Sequence, residues 1–355
     1  MAERVGLTKG TVSRALNGYP DISDRTRHRV ARAAEEMGYR PLAHAQAIRT
    51  GRVRSIGLVL QVNEHDAHGP FLTEFLAGVT RAASAENWTL AVSTADSDRD
   101  MIETIERLVN ERKADGFILP RTRSDDPRVT YLREHGVPFI LFGRTRVPAG
   151  CAWFDILGEH AMRDAVVRLY RLGHRAIAFV NAGEEYNFTR LRHQGYLDGL
   201  AQVGLHPREE YVRGNVRKSE DGRRATESLL RLPVPPTGIV FATDEGALGA
   251  YNAARSLGLE IGRDVSVIAY DGIPEGKYAQ PRLTTFSVDT RAAGASLASM
   301  LIQRIRGAAP EDLRQTAPAQ LMVRGSDGAP RYGAEELGHR IAGNLNFRKQ
   351  WEKHK

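Results

Sequence analysis

The spacing of apolar positions changes partway along the chain. Up to about residue 54 they recur at helical intervals in two short runs. From Thr8 to Gly18, the residues Val12, Ala15 and Leu16 share one face, and Lys9, Thr11, Ser13 and Arg14 stay off it. Thr8 is placed to cap this helix, and Gly18 to end it in a left-handed turn. The second run opens at Ser23 as N-cap, with Asp24 against the helix dipole. It points Val30, Ala33, Ala34 and Met37 inward and stops at Gly38. Two short helices joined by a tight turn, with polar and basic residues opening one of them, predict a helix-turn-helix. That geometry lets a helix enter the major groove of DNA end-on, so that its first turn meets base edges.

From residue 55 to about 330 the pattern alternates between two periods. Short apolar runs predict strands at Ile56–Leu60, Thr89–Ser93, Gly116–Leu119 and Pro138–Phe142, then at Ala176–Val180, Gly238–Ala242 and Val265–Ala269. Amphipathic stretches between them predict helices, among them Leu72–Glu86, Met101–Glu111, Glu159–Leu172, Arg192–Val203, Ser219–Leu230 and Glu245–Ser256. Such alternation builds parallel sheets covered on both faces; the run is long enough for two sheets, hence two lobes and a cleft.

Ligands of such sheets bind at the C-terminal ends of the strands. Arg144, Thr243 and Asp271 fall at such ends, and Asp155 lies close to the predicted crossover. The carboxylate of Asp271 suits two hydroxyls of a polyol, and the Arg192 guanidinium offers a fork of donors to the same ligand. Phe71, just after Pro70, belongs near the other wall, and Phe188 suits stacking on a ring face. The plainer alternatives are an Arg192–Asp271 ion pair across the lobes and phenylalanines that serve only as core.

Charge adds a partner to this picture. The formal charge is +7, with a net +6 in residues 1–54 and +3 in residues 331–355, which leaves −2 between them. A basic head on a near-neutral body suits a polyanion, the alternative being a solvated basic surface. The one cysteine, Cys151, excludes an internal disulfide and a cysteine metal cluster. MAERVGLTKG at the N-terminus lacks a secretory pattern, and no long uncharged apolar window occurs, so a cytoplasmic location is expected. GxGxxG, GxxxxGK[ST], HExxH and GxSxG are all absent, and His65, His68 and His160 do not share metal-ligand spacing. The expectation is a protein with no cofactor, metal or catalytic residue. A secreted solute-binding protein or a sugar-acting enzyme would suit the body alone, but neither accounts for the basic head.

The runs TVSRALNG (11–18), EMGYRP (36–41), IRTGR (48–52) and IGLVL (56–60) resemble the signature of the LacI/GalR family of repressors. GVPFILFGR (136–144), LGHRAIAFV (172–180), RHQGY (192–196), DEGALG (244–249) and SVIAYDG (266–272) extend the resemblance to about residue 328. It implies an all-α helix-turn-helix head (1–40), a hinge helix and linker (41–54) and a bilobal α/β body (55–330). That body would be periplasmic-binding-protein-like, with two parallel-sheet lobes that bind an effector and dimerise. A basic extension (331–355) follows. By the same resemblance Lys9, Gly10 and Arg14 read bases, Thr11 and Ser13 hold phosphates, and Thr8 and Asn17 complete the head's DNA surface. Ile48, beside Ala45, stands at the hinge position that wedges into the minor groove. Phe71, Arg144, Arg192, Thr243 and Asp271 stand at effector positions, and Asp155, two residues before Leu157, is a further effector candidate. The implied partners are a pseudo-palindromic operator, a small-molecule effector and a second copy of the chain, with a tetramer as an extension.

The sequence departs from the family pattern at several points. Gly10 has no side chain, so Lys9 carries more of the readout; Ile48 replaces the usual leucine, and Leu42 a frequent asparagine. Leu157-Gly158 stands where relatives often have Asp-Asn, and Thr243 replaces a common asparagine. Met1 falls inside the family's first helix, so about two turns of it are expected to be missing. CAWFDI (151–156) resembles the glucoside-sensing subgroup, which makes a sugar the first expectation for the effector, with a purine or a phosphorylated sugar still open. Gly294, Leu297, Leu301 and Ile305 form a helix face in the family's subunit-contact region. Leu337, Ile341 and Leu345 recur at four-residue steps, but Gly338 and Gly343 favour a frayed basic tail over an oligomerising helix.

Overall fold

The computed structural model describes residues 1–16, 18–38, 51–61 and 69–353, together with their side chains apart from those of 69–71 and 345–353. The chain divides into two units, Met1–Val53 and Arg54–Lys355. In the first, α1 (Lys9–Leu16) and α2 (Asp24–Glu36) are both capped as their sequences direct. The Thr11 amide donates to Thr8 Oγ1 at 3.1 Å, and the Thr26 amide to Ser23 Oγ at 3.3 Å. Gly18 and Gly38 turn the chain at φ of +68° and +58°. Val12, Ala15, Val30 and Ala33 close a small core with Val5, which belongs to a turn that opens with the Val5 amide on the Met1 carbonyl. Met37 does not point inward: as the C-cap of α2 it lies past the helix's apolar face and is 42% exposed. Asn17 and the hinge positions Ala45 and Ile48 lie outside the described residues.

The second unit contains two six-stranded sheets. Strands β1 (Ser55–Gln61), β2 (Thr89–Ala95), β3 (Gly116–Leu119), β4 (Phe139–Phe142), β5 (Ala152–Ile156) and β11 (Arg314–Ala317) form one, in the order β11-β5-β4-β3-β1-β2. The other comprises β6 (Ile177–Val180), β7 (Val212–Arg213), β8 (Gly238–Phe241), β9 (Ser266–Asp271), β10 (Thr284–Ser287) and β12 (Gln320–Met322), ordered β12-β10-β9-β8-β6-β7. Pairing is parallel apart from the antiparallel β10–β12 pair. The short central strands GFIL, IAFV and GIVF are buried throughout, because each sheet has an apolar cluster on both faces. The chain passes between the sheets three times, after β5, after β10 and after β11.

Helices α3 (Gly69–Ala85), α4 (Asp98–Asn110), α5 (Pro127–Glu134), α6 (Gly158–Arg171), α7 (Asn187–Gln202), α8 (Ser219–Leu230), α9 (Asp244–Ser256) and α10 (Thr290–Ile305) cover the sheets. Glycines set the distance between them. A Cβ on Gly195 of α7 would lie 2.0 Å from the Glu159 carbonyl of α6, and one on Gly249 of α9 would lie 1.9 Å from the Ser219 carbonyl of α8. The face of α10 formed by Gly294, Leu297, Leu301 and Ile305 is buried within this chain, against α3 and the first sheet, and is not left for a second subunit.

The C-terminal segment is a helix, α11 (Ala334–Lys353), rather than a frayed tail. Leu337 and Ile341 enter the core on one face of the second sheet, and Asn344 Nδ2 donates to the Leu257 carbonyl at 2.9 Å. Gly338 supports this docking, since a Cβ there would lie 2.8 Å from the Pro233 carbonyl. The apolar repeat therefore serves an intramolecular contact; the Leu345 side chain lies outside the described ones. Leu337→Ala is expected to lower unfolding stability by about 2–5 kcal/mol, read from denaturant or thermal midpoints. An unchanged midpoint would mean that the helix does not dock.

Candidate functional site

In the head, the first two turns of α1 present an exposed polar surface. Lys9, Gly10, Ser13 and Arg14 face outward, while Val12 and Ala15 of the same helix fill the core. Thr8 and Thr11 engage each other, their hydroxyl oxygens 2.9 Å apart. The Arg14 guanidinium pairs with Asp21 and lies 5.3 Å from the Tyr19 ring centre, so it is held close to the turn between the helices.

In the body, loops from the C-terminal ends of both sheets converge on a cleft of about 430 Å³. Arg144, Asp155, Phe188, Arg192, Thr243 and Asp271 all line it; the Phe71 side chain lies outside the described ones. Arg192, on α7, is buried. Its Nη1 donates to the Ala242 carbonyl at 2.6 Å, and its guanidinium carbon lies 4.5 Å from the Phe188 ring centre and 3.9 Å from that of Tyr270. A desolvated cation over ring faces is an attractive arrangement. Its Nε is buried with no hydrogen-bond partner, and a Cβ on Gly158 would lie 2.9 Å from it. The glycine at 158 thus leaves room for this arginine.

Asp271 ends β9 with φ of +124°, a backbone state that an L residue holds only when its surroundings impose it. What imposes it is Asp244, the fully buried first residue of α9. One Asp244 oxygen accepts from the Gly272 and Ile273 amides at 2.8 and 2.9 Å, and the other from the Thr285 hydroxyl at 2.6 Å. Burial pushes the Asp271 carboxyl up to about 7, against the pull of Arg192 and with help from Asp244. Asp244 is raised to about 6, again by burial. Arg192 and Asp271 both belong to the second lobe, so they form no ion pair across the lobes; the hydrogen bond of Arg192 goes to Ala242 instead.

The groups that cross between the lobes are different ones. The Arg144 Nε donates to Asp155 on β5 of the first lobe, and its Nη2 donates to Glu159 on α6 of the second. Burial raises the Asp155 carboxyl despite this partner. Asn187, at the start of α7, adds a second tie: its amide donates to the Thr122 carbonyl at 3.1 Å and its Nδ2 to the Arg144 carbonyl at 2.7 Å. Thr243 caps α9 through the Gly246 amide. The roles of Glu159, Asp244, Tyr186 and Tyr270 are not foreseen from sequence. Tyr186 stacks on Phe188 with centres 5.4 Å apart, and a Tyr-x-Phe pair opening a helix is the signal that marks it.

Two family models match the chain: the lacI family of bacterial regulatory proteins over residues 1–41, and the periplasmic binding protein-like domain over residues 166–326. The HTH-type transcriptional regulator AglR of Rhizobium meliloti (strain 1021) is 35% identical over 337 residues, which cover 92% of this chain and 93% of the relative. The HTH-type transcriptional regulator RafR of Escherichia coli is 32% identical, with 89% and 94% covered. The solved complex of the transcriptional regulator CelR with cellobiose is 30% identical, with a TM-score of 0.72 and coverage of 92% of this chain and 98% of that one.

Because Asp271 holds its proton more tightly when folded, up to about 7 against an ordinary 3.8, its contribution to stability is complete below about pH 4. That contribution is lost as the pH rises towards 7. The body's unfolding midpoint is therefore expected to fall more between pH 5 and pH 8 in the wild type than in Asp271→Asn. Equal falls would contradict the buried environment assigned to this carboxyl.

Proposed function

The chain belongs to the LacI family of bacterial regulatory proteins, and from that premise we propose that it is a sugar-controlled repressor of a carbohydrate-utilisation operon. It is a DNA-binding transcriptional regulator, a helix-turn-helix head joined to a periplasmic-binding-protein-like body. The observation that carries the DNA reading is α1, which packs one face into the head's core and turns Lys9, Gly10, Ser13 and Arg14 outward from its first two turns. Lys9 reads a base edge, Arg14 joins it by exchanging its Asp21 partner for DNA, and Thr11 and Ser13 hold phosphates. Thr8 and Asn17 border this surface, and Ala45 and Ile48 enter the minor groove from the hinge.

For the effector, the support is the cleft's chemistry. Stacked rings stand beside a donor on Arg192 and an acceptor on Asp271, an arrangement suited to a polyol, and the relative CelR was solved with cellobiose. Asp155, Thr243 and Arg144 line the same space, with Phe71 assigned to the wall by resemblance. Two copies of the chain read a pseudo-palindrome in the cytoplasm, since two heads must meet two half-sites. Among the described residues no helix is long and apolar enough to cross a membrane.

In fluorescence-anisotropy titrations, Lys9→Ala is expected to relax discrimination at one base pair of the half-site by about 1–3 kcal/mol, whereas Arg54→Ala at most flattens the salt dependence. Uniform weakening on all DNA by both variants would overturn the readout assigned to Lys9.

A further inference from the structure

Resting on the reading of the cleft as a sugar site, we infer that the effector is an uncharged saccharide and that phosphorylated and carboxylated sugars are rejected. The charge of the lining decides this. Among the described residues, Asp155, Glu159, Glu185, Glu245, Asp271 and Glu275 supply six carboxyl groups; Arg121, Arg144, Arg192 and Arg217 supply four guanidiniums, and no lysine or histidine joins them. Burial holds Asp155 and Asp271 towards their neutral form, so the wall offers an anion no surplus of positive charge.

All four arginines are, moreover, already engaged. Arg144 is held by Asp155 and Glu159, and Arg217 pairs with Glu185 at 3.0 Å. Arg121 lies 5.6 Å from the Tyr186 ring centre, and of the Arg192 edge Nη1 is bonded to Ala242 and Nε is buried beside Gly158. A phosphate or carboxylate calls for a guanidinium presented edge-on, or for several free amides. The remaining means of holding an anion is a helix N-terminus. Three helices begin at the cleft among the described residues: α6 has Glu159 in its first turn and α9 has Asp244 and Glu245, while α7 opens without an acid but has its Asn187 amide on the Thr122 carbonyl and its Thr189 amide on the Tyr186 carbonyl.

The lining instead favours a ligand rich in donors. Carboxylates accept, and sugar hydroxyls can donate to them, whereas an ionised phosphate has no donor to offer. Burial already disfavours ionisation of Asp155 and Asp271, so a further negative charge in the same volume meets the same penalty. The phosphorylated-sugar alternative left open by the sequence is thereby excluded on the cleft's own chemistry.

The test is a thermal-shift and calorimetric screen of the full chain. The probes are glucose, galactose, maltose, cellobiose, melibiose, raffinose and sucrose, alongside glucose 6-phosphate, galactose 6-phosphate, glucuronate and galacturonate. At least one neutral sugar is expected to raise the unfolding midpoint, and the charged sugars are expected to bind at least tenfold more weakly than that sugar. A charged sugar that binds as tightly as any neutral one, or more tightly, overturns the inference and leaves the saccharide reading standing. No shift with any sugar, neutral or charged, overturns both.

Discussion

The buried guanidinium of Arg192 is the interaction on which the cleft depends. One side chain on α7 fastens to the end of β8 through Ala242, covers Tyr270 on β9, lies under Phe188 at the start of its own helix and needs Gly158 at the start of α6. A buried cation is costly unless partners offset its lost hydration; here two rings and the Ala242 carbonyl do so, while Nε stays without a hydrogen-bond partner. These contacts gather the ends of four elements of the second lobe, and so shape the wall that a ligand meets. Asp244 does the complementary work one layer deeper, holding the loop that gives Asp271 its unusual backbone.

Control of the cleft depends on what joins the two lobes. Covalently they are joined by three crossings, and close to the first of these Arg144 reaches carboxylates of both lobes. A ligand seated among these groups changes the balance of hydrogen bonds that ties one lobe to the other. Ligand control needs only that the ligand bind one arrangement of the lobes better than another. An acceptor-rich lining without surplus positive charge adds selectivity by disfavouring anionic relatives of the ligand.

Much of this architecture is legible in the sequence where burial is two-sided and local. GFIL, IAFV and GIVF read as strands because both faces of each sheet are covered, and the caps at Thr8 and Ser23 stand where spacing puts them. β11 and β12 escape a pattern-based reading because their residues, RQTA and QLM, are mostly polar edge positions paired by the fold rather than by composition. Periodicity also reports that a face is apolar without saying what covers it. That is why the face of α10 suggests a contact between subunits and the repeat in α11 reads as a frayed tail, while both are found buried within the chain. In the cleft, Arg144, Thr243 and Asp271 are placed from sequence because ligands gather at strand ends, and Arg192, on α7, through the RHQGY run. Glu159 and Asp244 are not, since their parts come from long-range contacts with Arg144 and with the loop after β9.

One chain couples a DNA-reading head to a ligand-binding cleft, and coupling between two sites is reciprocal. The most direct measurement is the affinity of the full chain for a neutral saccharide effector, taken with and without saturating operator DNA. Operator is expected to change the effector's affinity by the same factor by which effector changes the operator's. Equal effector affinity in the two conditions, with both ligands bound, would contradict it.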